Sequence, residues 1–138
     1  VFCTLISEAN EVAKMVPGSV VLTGDTEQAL RDKILAQFKA GAIRCVINVG
    51  VLTTGFDYPE LEAVLIGRST MSLALYYQIV GRGMRPFPTK ESCWITDLGG
   101  NYKFFGKIET MKIVEDERGK LSIWNNGRQL TNVSFTKN

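Results

Sequence analysis

Several chemical resources are scarce or missing in this sequence. The 138 residues contain no histidine, which excludes catalysis through an imidazole. No apolar run approaches the length of about 20 residues that a membrane-spanning helix needs. The formal net charge is only +2. Because that charge is too small to indicate nucleic-acid binding by itself, DNA contacts would depend on the local placement of Arg, Lys and backbone donors.

Cysteine is also sparse and shows no metal-binding spacing. Cys3, Cys45 and Cys93 each lie within an apolar, strand-like run. We therefore expect buried free thiols in a protein of the reducing cytoplasm. The length and the 45% hydrophobic content are ordinary for one compact globular domain.

Strand-like and helix-like segments alternate along residues 1–98. Ser7 is predicted to cap a helix that Pro17 and Gly18 end. Apolar periodicity predicts the remaining elements, which are strands at 20–22, 44–49, 62–66 and 93–97 and helices at 26–40 and 72–80. The predicted core face of the helix at 26–40 consists of Leu30, Ile34, Leu35 and Phe38. The unbroken apolar strands favour an α/β fold with a mainly parallel sheet covered on both faces.

Residues 99–138 have a different pattern and form a predicted C-terminal extension. Alternating runs at 111–114 and 121–124 flank a charged turn, and Asn126-Gly127 is a strong tight-turn signal. We therefore predict a small β appendage made of hairpins. It is either a platform for a partner or for DNA that uses Trp124 and Arg128, or, as we favour, a meander packed beside the core.

A Gln and two Arg surround a glycine where an apolar helix ends. Gln78 is followed by Gly81, Arg82 and Arg85. Arg presents a planar fork of donors that can bind phosphate oxygens in two places. Because the two Arg are three residues apart, both can point at the same polyphosphate. The alternative is that they are solvated cations that close a helix, with Gly81 or Gly83 as its cap.

A second polar segment, residues 51–59, follows the buried strand predicted at 44–49. In open parallel sheets, ligands gather at the carboxyl ends of the strands. Gly55 permits close backbone approach, Asp57 can accept from a sugar hydroxyl or orient an Arg, and Pro59 prevents a helix from continuing. An ordinary turn would account for the same residues.

These segments resemble motifs of the superfamily 2 DEAD/DEAH-type helicases. Residues 78–85 are similar to motif VI and residues 51–59 to motif V, in the order and spacing of the family. The start of the chain, residues 1–9, resembles motif IV. The resemblance covers residues 1 to about 98 and is to the C-terminal RecA-like domain of these helicases. It implies a RecA-like three-layer fold.

Within that superfamily, the chain looks most like DNA-repair helicases of the RadD and XPB type. The similarity rests on residues 48–57, on Gln rather than His at position 78, and on residues 97–101. The family often carries a Thr where Val49 stands, and Thr53 and Thr54 could replace it as contacts to the nucleic acid.

The resemblance implies a role for each motif residue. Arg85 would be the arginine finger on the γ-phosphate, and Arg82 would make a second phosphate or interdomain contact. Gln78 would link nucleotide to nucleic acid. Gly55, Asp57 and Gly81 would face the nucleotide, while Thr53 and Thr54 would face DNA.

Half of the expected ATP site is missing from the sequence. It has no Gly-x-x-x-x-Gly-Lys-Ser/Thr phosphate loop and no strand-borne Asp-Glu pair for magnesium. The resemblance therefore implies that ATP and Mg²⁺ are bound mainly by an N-terminal RecA-like domain of the same parent protein. Because the chain has no initiator Met and starts within a strand, we expect an excised domain that is inactive alone.

Two other interpretations stay open. The chain could be a non-catalytic RecA-like scaffold, or a nucleic-acid-binding module, that has kept the fold. It could also belong to the motor subunit of a restriction enzyme, whose parent protein would carry a nuclease domain elsewhere.

Overall fold

The computed structural model describes residues 1–53, 55–131 and 135–136. Its elements are β1 (Phe2–Cys3), α1 (Ile6–Met15), β2 (Val20–Leu22), α2 (Gln28–Lys39), β3 (Val46–Val49), β4 (Ala63–Ile66), α3 (Leu73–Gly83), β5 (Trp94–Asp97), α4 (Asn101–Phe105), a 3-10 turn (Ile108–Thr110), β6 (Lys112–Glu115), β7 (Lys120–Asn125), β8 (Arg128–Gln129) and β9 (Phe135–Thr136). No helix in this part of the chain is long and apolar enough to cross a membrane.

Five parallel strands form the main sheet, in the order β2-β3-β1-β4-β5. Phe2 is in register with Asn48 of β3 and with Ile66 of β4, which places β1 at the centre. Because the strands are parallel, the segments that follow them all start at one edge, which we call the carboxyl edge. The sheet and its helices confirm the predicted α/β fold.

Helices pack on both faces of this sheet, although unequally. On one face, α1 contributes Ala9 to a small buried cluster with Ile47. On the other face, α2 and α3 contribute Ile34 and Ile79 to a larger core. The predicted coverage of both faces is incomplete at β5, where Trp94 is 78% exposed, because α1 packs mainly on β1, β2 and β3.

Two helix predictions are wrong in detail. Ser7 lies within the first turn of α1 and does not cap it. The carboxylate of Glu8 instead accepts hydrogen bonds from the backbone N–H groups of Thr4 and Leu5. Glu8 thus supplies an acceptor for the backbone donors just before the helix. Leu30 was expected in the core but is exposed, because the buried stripe of α2 lies further along the helix.

Helix α3 continues beyond its predicted end at residue 80 and spans Leu73–Gly83. Its predicted start is confirmed, since Ser72 Oγ accepts a hydrogen bond from Leu75 N at 3.2 Å. Gly81 and Gly83 therefore lie inside the helix and do not cap it. Only Arg85 of the two motif arginines lies beyond the last helical turn.

Strands β6 to β9 form a separate antiparallel sheet, in which β7 pairs with the other three. The predicted turn at Asn126 and Gly127 is confirmed, because both residues have positive φ angles of 50° and 73°. Buried Asn125 donates to the carbonyl oxygen of Phe105 at 2.8 Å. Leu130 belongs to the main core. These contacts favour a meander packed beside the core.

The three cysteines are free, as predicted. Only Cys3 is buried, whereas Cys45 and Cys93 are half-buried. Burial raises the pKa of the Cys3 and Cys93 thiols above the ordinary value. Both thiols therefore stay protonated near neutral pH.

Candidate functional site

The described residues after β3 form a loop that is anchored at both ends, and we call residues 50–53 and 55–57 the β3 loop. Asn48, only 1% exposed, accepts from Leu52 N at 3.3 Å and donates to Val1 O at 2.8 Å. Leu52 and Phe56 are buried. Between them, Gly55 has a φ of 71°, a left-handed conformation that favours glycine. The sequence contained one signal for this anchor, a polar residue inside an apolar strand.

Aromatic rings hold the far end of the β3 loop. Tyr58 packs edge-on against Phe38 of α2, with ring centroids 5.5 Å apart, and Phe56 lies 6.4 Å from the same ring. Burial raises the pKa of the Tyr58 phenol, and two neighbouring glutamates raise it further. The phenol is therefore neutral near pH 7 and adds no charge beside Asp57.

Arg82, in the last turn of α3, fastens the β3 loop to this helix. Its Nη1 donates to Phe56 O at 2.7 Å, and its Nη2 donates to Thr53 O at 2.6 Å. The guanidinium fork thus binds two backbone carbonyls of the same loop. These two bonds use two of the five N–H donors of the guanidinium, and the phosphate or interdomain contact predicted for Arg82 stays a prediction.

Arg85 lies just beyond α3 and reaches the surface. Its Nη1 donates to the carboxylate of Asp57 in an ion pair, and the two side chains are 42% and 64% exposed. An exposed ion pair of this kind contributes only about 0–1 kcal/mol. An incoming phosphate could therefore replace Asp57 at small cost. The two motif segments meet at this ion pair.

Lys90 fixes the C-terminal end of α3, a role that the sequence did not indicate. Its Nζ donates to Gly83 O at 2.6 Å, to Pro59 O at 2.9 Å and to Arg85 O at 3.1 Å. Carbonyls at the end of a helix carry partial negative charge, so a cation is favourable there. The ammonium group joins the end of α3 to the segment after Asp57 and fixes the backbone of Arg85.

The two glycines of α3 have different surroundings. A Cβ added to Gly83 would lie 2.6 Å from Cys93 Sγ and 3.0 Å from Ile95 Cδ1, so glycine permits α3 to pack closely on β5. A Cβ added to Gly81 would meet no atom within 4 Å. The described part of the chain therefore gives no packing reason for glycine at position 81, and the same is true of Gly55.

The remaining predicted site residues make fewer contacts with the domain. Gln78 is exposed and lies one turn before Arg82, on the same face of α3. Thr53 is half-buried, and its carbonyl accepts from Arg82. Thr54 lies outside the described residues.

Comparison with protein families identifies this arrangement. The helicase conserved C-terminal domain family matches residues 1–86, which include the β3 loop, α3 and Arg85. Because the match covers well over half of the chain, the chain belongs to this family of superfamily 2 helicase domains. The likeness to the RadD and XPB type stays a prediction.

Individual relatives agree with this assignment. IRC3 of Saccharomyces cerevisiae, which is named as an ATP-dependent helicase, is 39% identical over 79 residues, covering 57% of this chain and 12% of IRC3. The EcoKI type I restriction endonuclease subunit of Escherichia coli is 30% identical over 100 residues, covering 69% of this chain and 8% of that subunit. The chain therefore spans a small part of these relatives.

A solved structure supports the fold. The C-terminal domain of the DEAD-box protein Dbp5 superposes with a TM-score of 0.60 at 21% sequence identity, covering 78% of this chain and 69% of that one. This likeness confirms the RecA-like fold.

Proposed function

We propose that the chain is the second motor domain of an ATP-dependent superfamily 2 helicase or translocase. It would supply an arginine finger and part of the nucleic-acid track. Membership in the helicase family and the similarity to IRC3 support this proposal. DNA as the track and repair as the setting rest on the resemblance of residues 48–57 and 97–101 to RadD and XPB-type helicases. A cytoplasmic location rests on the free cysteines.

The observation that carries the proposal is the difference between Arg82 and Arg85. Arg82 is held by two carbonyls of the β3 loop, whereas Arg85 is exposed and has a replaceable partner in Asp57. Lys90 fixes the backbone of Arg85, because its Nζ donates to the carbonyl oxygen of Arg85. A cation fixed in this way is preorganised to stabilise charge that develops on a transferring phosphoryl group.

The site fits a nucleotide phosphate better than a metal ion. Open space at Gly81 and Gly55 would admit a ligand beside Arg85. Residues 1–53 and 55–131 contain no cluster of three or more His, Cys, Asp or Glu side chains that could hold a metal. We therefore assign most Mg²⁺ ligands, and the phosphate loop, to a first RecA-like domain. The two domains would close on bound ATP and open after its hydrolysis. This cycle would move them stepwise along the phosphate backbone of a nucleic acid.

The test is ATP turnover by the protein that joins this chain to a first motor domain. Turnover would be measured without nucleic acid and with single- and double-stranded DNA and RNA. Arg85→Ala is expected to lower kcat by about 10³-fold or more. The Kd of ATP should change far less, because the charge that Arg85 meets develops in the transition state.

Arg118→Ala is the matched control, since it removes an exposed arginine from the turn between β6 and β7. It should leave kcat unchanged. Equal losses of ATP binding and turnover in Arg85→Ala would contradict the assignment of Arg85 as the finger. Absence of turnover in the unmodified protein with every nucleic acid would leave the non-catalytic scaffold as the better interpretation.

A motor subunit of a restriction enzyme is the second candidate, and the likeness to the EcoKI subunit favours it. Arg85 would have the same role in such a motor. Turnover stimulated by double-stranded DNA alone, together with a nuclease domain in the parent protein, would support this candidate. Stimulation by single strands would support the helicase.

A further inference from the structure

The turn between β4 and α3, residues 67–72, is held at the carboxyl edge by a buried amide. Asn101, 2% exposed, donates to Arg68 O at 2.8 Å and accepts from Thr70 N at 2.8 Å. Its Nδ2 also donates to Asp97 Oδ1 at 2.8 Å, which fixes the amide. The backbone of Arg68 is therefore positioned by residues outside the turn.

The guanidinium of Arg68 has no partner among the described residues. Its Nε is buried and makes no hydrogen bond. The Nε atoms of Arg31 and Arg82 share this property, but the Nη atoms of both residues donate to backbone carbonyls. Arg68 alone among these three has no acceptor for any of its donors. Arg68 as a whole is half-buried, and its buried Nε is the atom whose lack of a partner requires an explanation.

Groups in the segment that follows Arg68 in the sequence favour an anion. The N–H groups of Leu73 and Ala74, in the first turn of α3, have no acceptor in the described part of the chain, and the helix dipole adds partial positive charge there. Thr70 Oγ1 accepts from Ser72 N at 3.0 Å, which leaves its hydroxyl proton free to donate. The carboxylate of Asp97, at the end of β5, already accepts from three donors of the 99–102 segment.

The turn after β4 lies where a nucleic-acid chain could cross the carboxyl edge of the sheet. Strand β1 lies between β3 and β4, so the turn after β4 and the β3 loop start two strand spacings apart, roughly 10 Å. A nucleic-acid chain that lies across the carboxyl ends of the β-strands would contact both the turn after β4 and the β3 loop.

We infer that Arg68, with the Thr70 hydroxyl and the first turn of α3, binds a phosphate of a nucleic-acid backbone that lies across the carboxyl edge. This inference rests on the proposed function and deepens it by naming a contact outside the two motifs. The contact reads no base, so it contributes affinity without sequence preference.

The test is binding of a fluorescein-labelled 20-nucleotide oligo(dT) and oligo(U) to the two-domain protein, measured by fluorescence anisotropy at several NaCl concentrations. Arg68→Ala is expected to weaken binding about tenfold, the effect of one charge-assisted hydrogen bond. It should also reduce the slope of log K against log [NaCl] by about 0.7, the share of one phosphate contact. Arg68→Lys should lose less than Arg68→Ala because it keeps the charge.

Arg44→Ala is the matched control, because Arg44 is exposed at the opposite edge of the same sheet, just before β3. Its affinity and salt slope should equal those of the unmodified protein. Arg68→Ala should also keep the ATP turnover seen without nucleic acid and raise the oligonucleotide concentration that gives half-maximal stimulation. These measurements distinguish the nucleic-acid contact of Arg68 from the catalytic role of Arg85. Loss of Arg85 should abolish ATP turnover and leave oligonucleotide binding unchanged.

Two outcomes would overturn the inference while leaving the proposed function intact. One is stimulated turnover with unchanged affinity and salt slope in Arg68→Ala. The other is a loss of affinity in Arg68→Ala with an unchanged salt slope, which would show that Arg68 supports the structure of the turn and contacts no phosphate. A protein that neither binds an oligonucleotide nor hydrolyses ATP would overturn both.

Discussion

The two ends of α3 place their cations in opposite electrostatic settings. At the C-terminal end, Arg82 and Lys90 donate to backbone carbonyls, and Arg85 meets a carboxylate. At the N-terminal end, Arg68 has no acceptor among the described residues, and the neutral amide of Asn101 fixes the turn. The helix dipole stabilises a cation at the first end and disfavours one at the second. The cation at the N-terminal end is therefore the one for which we propose a bound anion.

At each end of α3, one residue holds the backbone in place and another carries the charge that is available to a ligand. Asn101 anchors the turn that carries Arg68, and Lys90 anchors the segment that carries Arg85. Replacing an anchor should therefore lower the stability of the fold, whereas replacing a presented cation should change binding or catalysis and leave the fold stable.

The largest effect on stability is expected for Asn101→Ala. The substitution removes the hydrogen bonds to Arg68 O, Thr70 N and Asp97 and leaves partly buried backbone groups unpaired, which should lower the free energy of unfolding by about 3 kcal/mol. Urea unfolding followed by circular dichroism measures this change. Asn10→Ala, on the exposed face of α1, is the control. A loss below about 1 kcal/mol would show that Asn101 is no anchor.

The two glycines of α3 should respond in opposite directions to alanine. Gly83→Ala places a Cβ against Cys93 and Ile95 and should cost about 2 kcal/mol of stability through overpacking. Gly81→Ala meets open space and should stabilise the helix by roughly 0.5–1 kcal/mol. Parallel urea titrations compare them. Destabilisation by Gly81→Ala would mean that the helix is already crowded at position 81.

Lys90→Met should lower stability by about 1–2 kcal/mol, because three carbonyls lose a charged donor and the apolar stem is kept. Arg85→Ala, which removes the neighbouring exposed cation, should cost less than about 0.5 kcal/mol because the ion pair of Arg85 with Asp57 is exposed. Thermal unfolding of both variants ranks them. Equal losses would remove the distinction between anchor and presented cation.

Sequence signals predicted the parts of the molecule that depend on local pattern. The strand at 20–22, the Ser72 cap and the Asn126-Gly127 turn are each set by a few neighbouring residues, so they could be inferred directly. The resemblance implied that residues of both motif segments face the nucleotide, but it did not predict the hydrogen bonds from Arg82 to residues 26 and 29 positions earlier.

The anchors could not be predicted, because their partners are distant in sequence. Asn101 binds residues 31 and 33 positions away, and Asn48 binds a residue 47 positions away. Lys90 lies in a polar segment between α3 and β5 and belongs to neither motif, so nothing in the sequence indicated its role. The available hints were an Asn within an apolar strand and an Asn after two glycines, and neither hint names a partner.

The smallest effect is expected for Asp57→Asn, which keeps the shape of the side chain and removes its charge. The ion pair with Arg85 is exposed on both sides, so the free energy of unfolding should change by less than about 0.5 kcal/mol. A urea titration at low and high salt measures it, and the small difference should shrink further with salt. A loss above about 1 kcal/mol would show that Asp57 holds Arg85 as part of the fold. Arg85 would then be an anchor like Arg82, and the C-terminal end of α3 would present no cation to a phosphate.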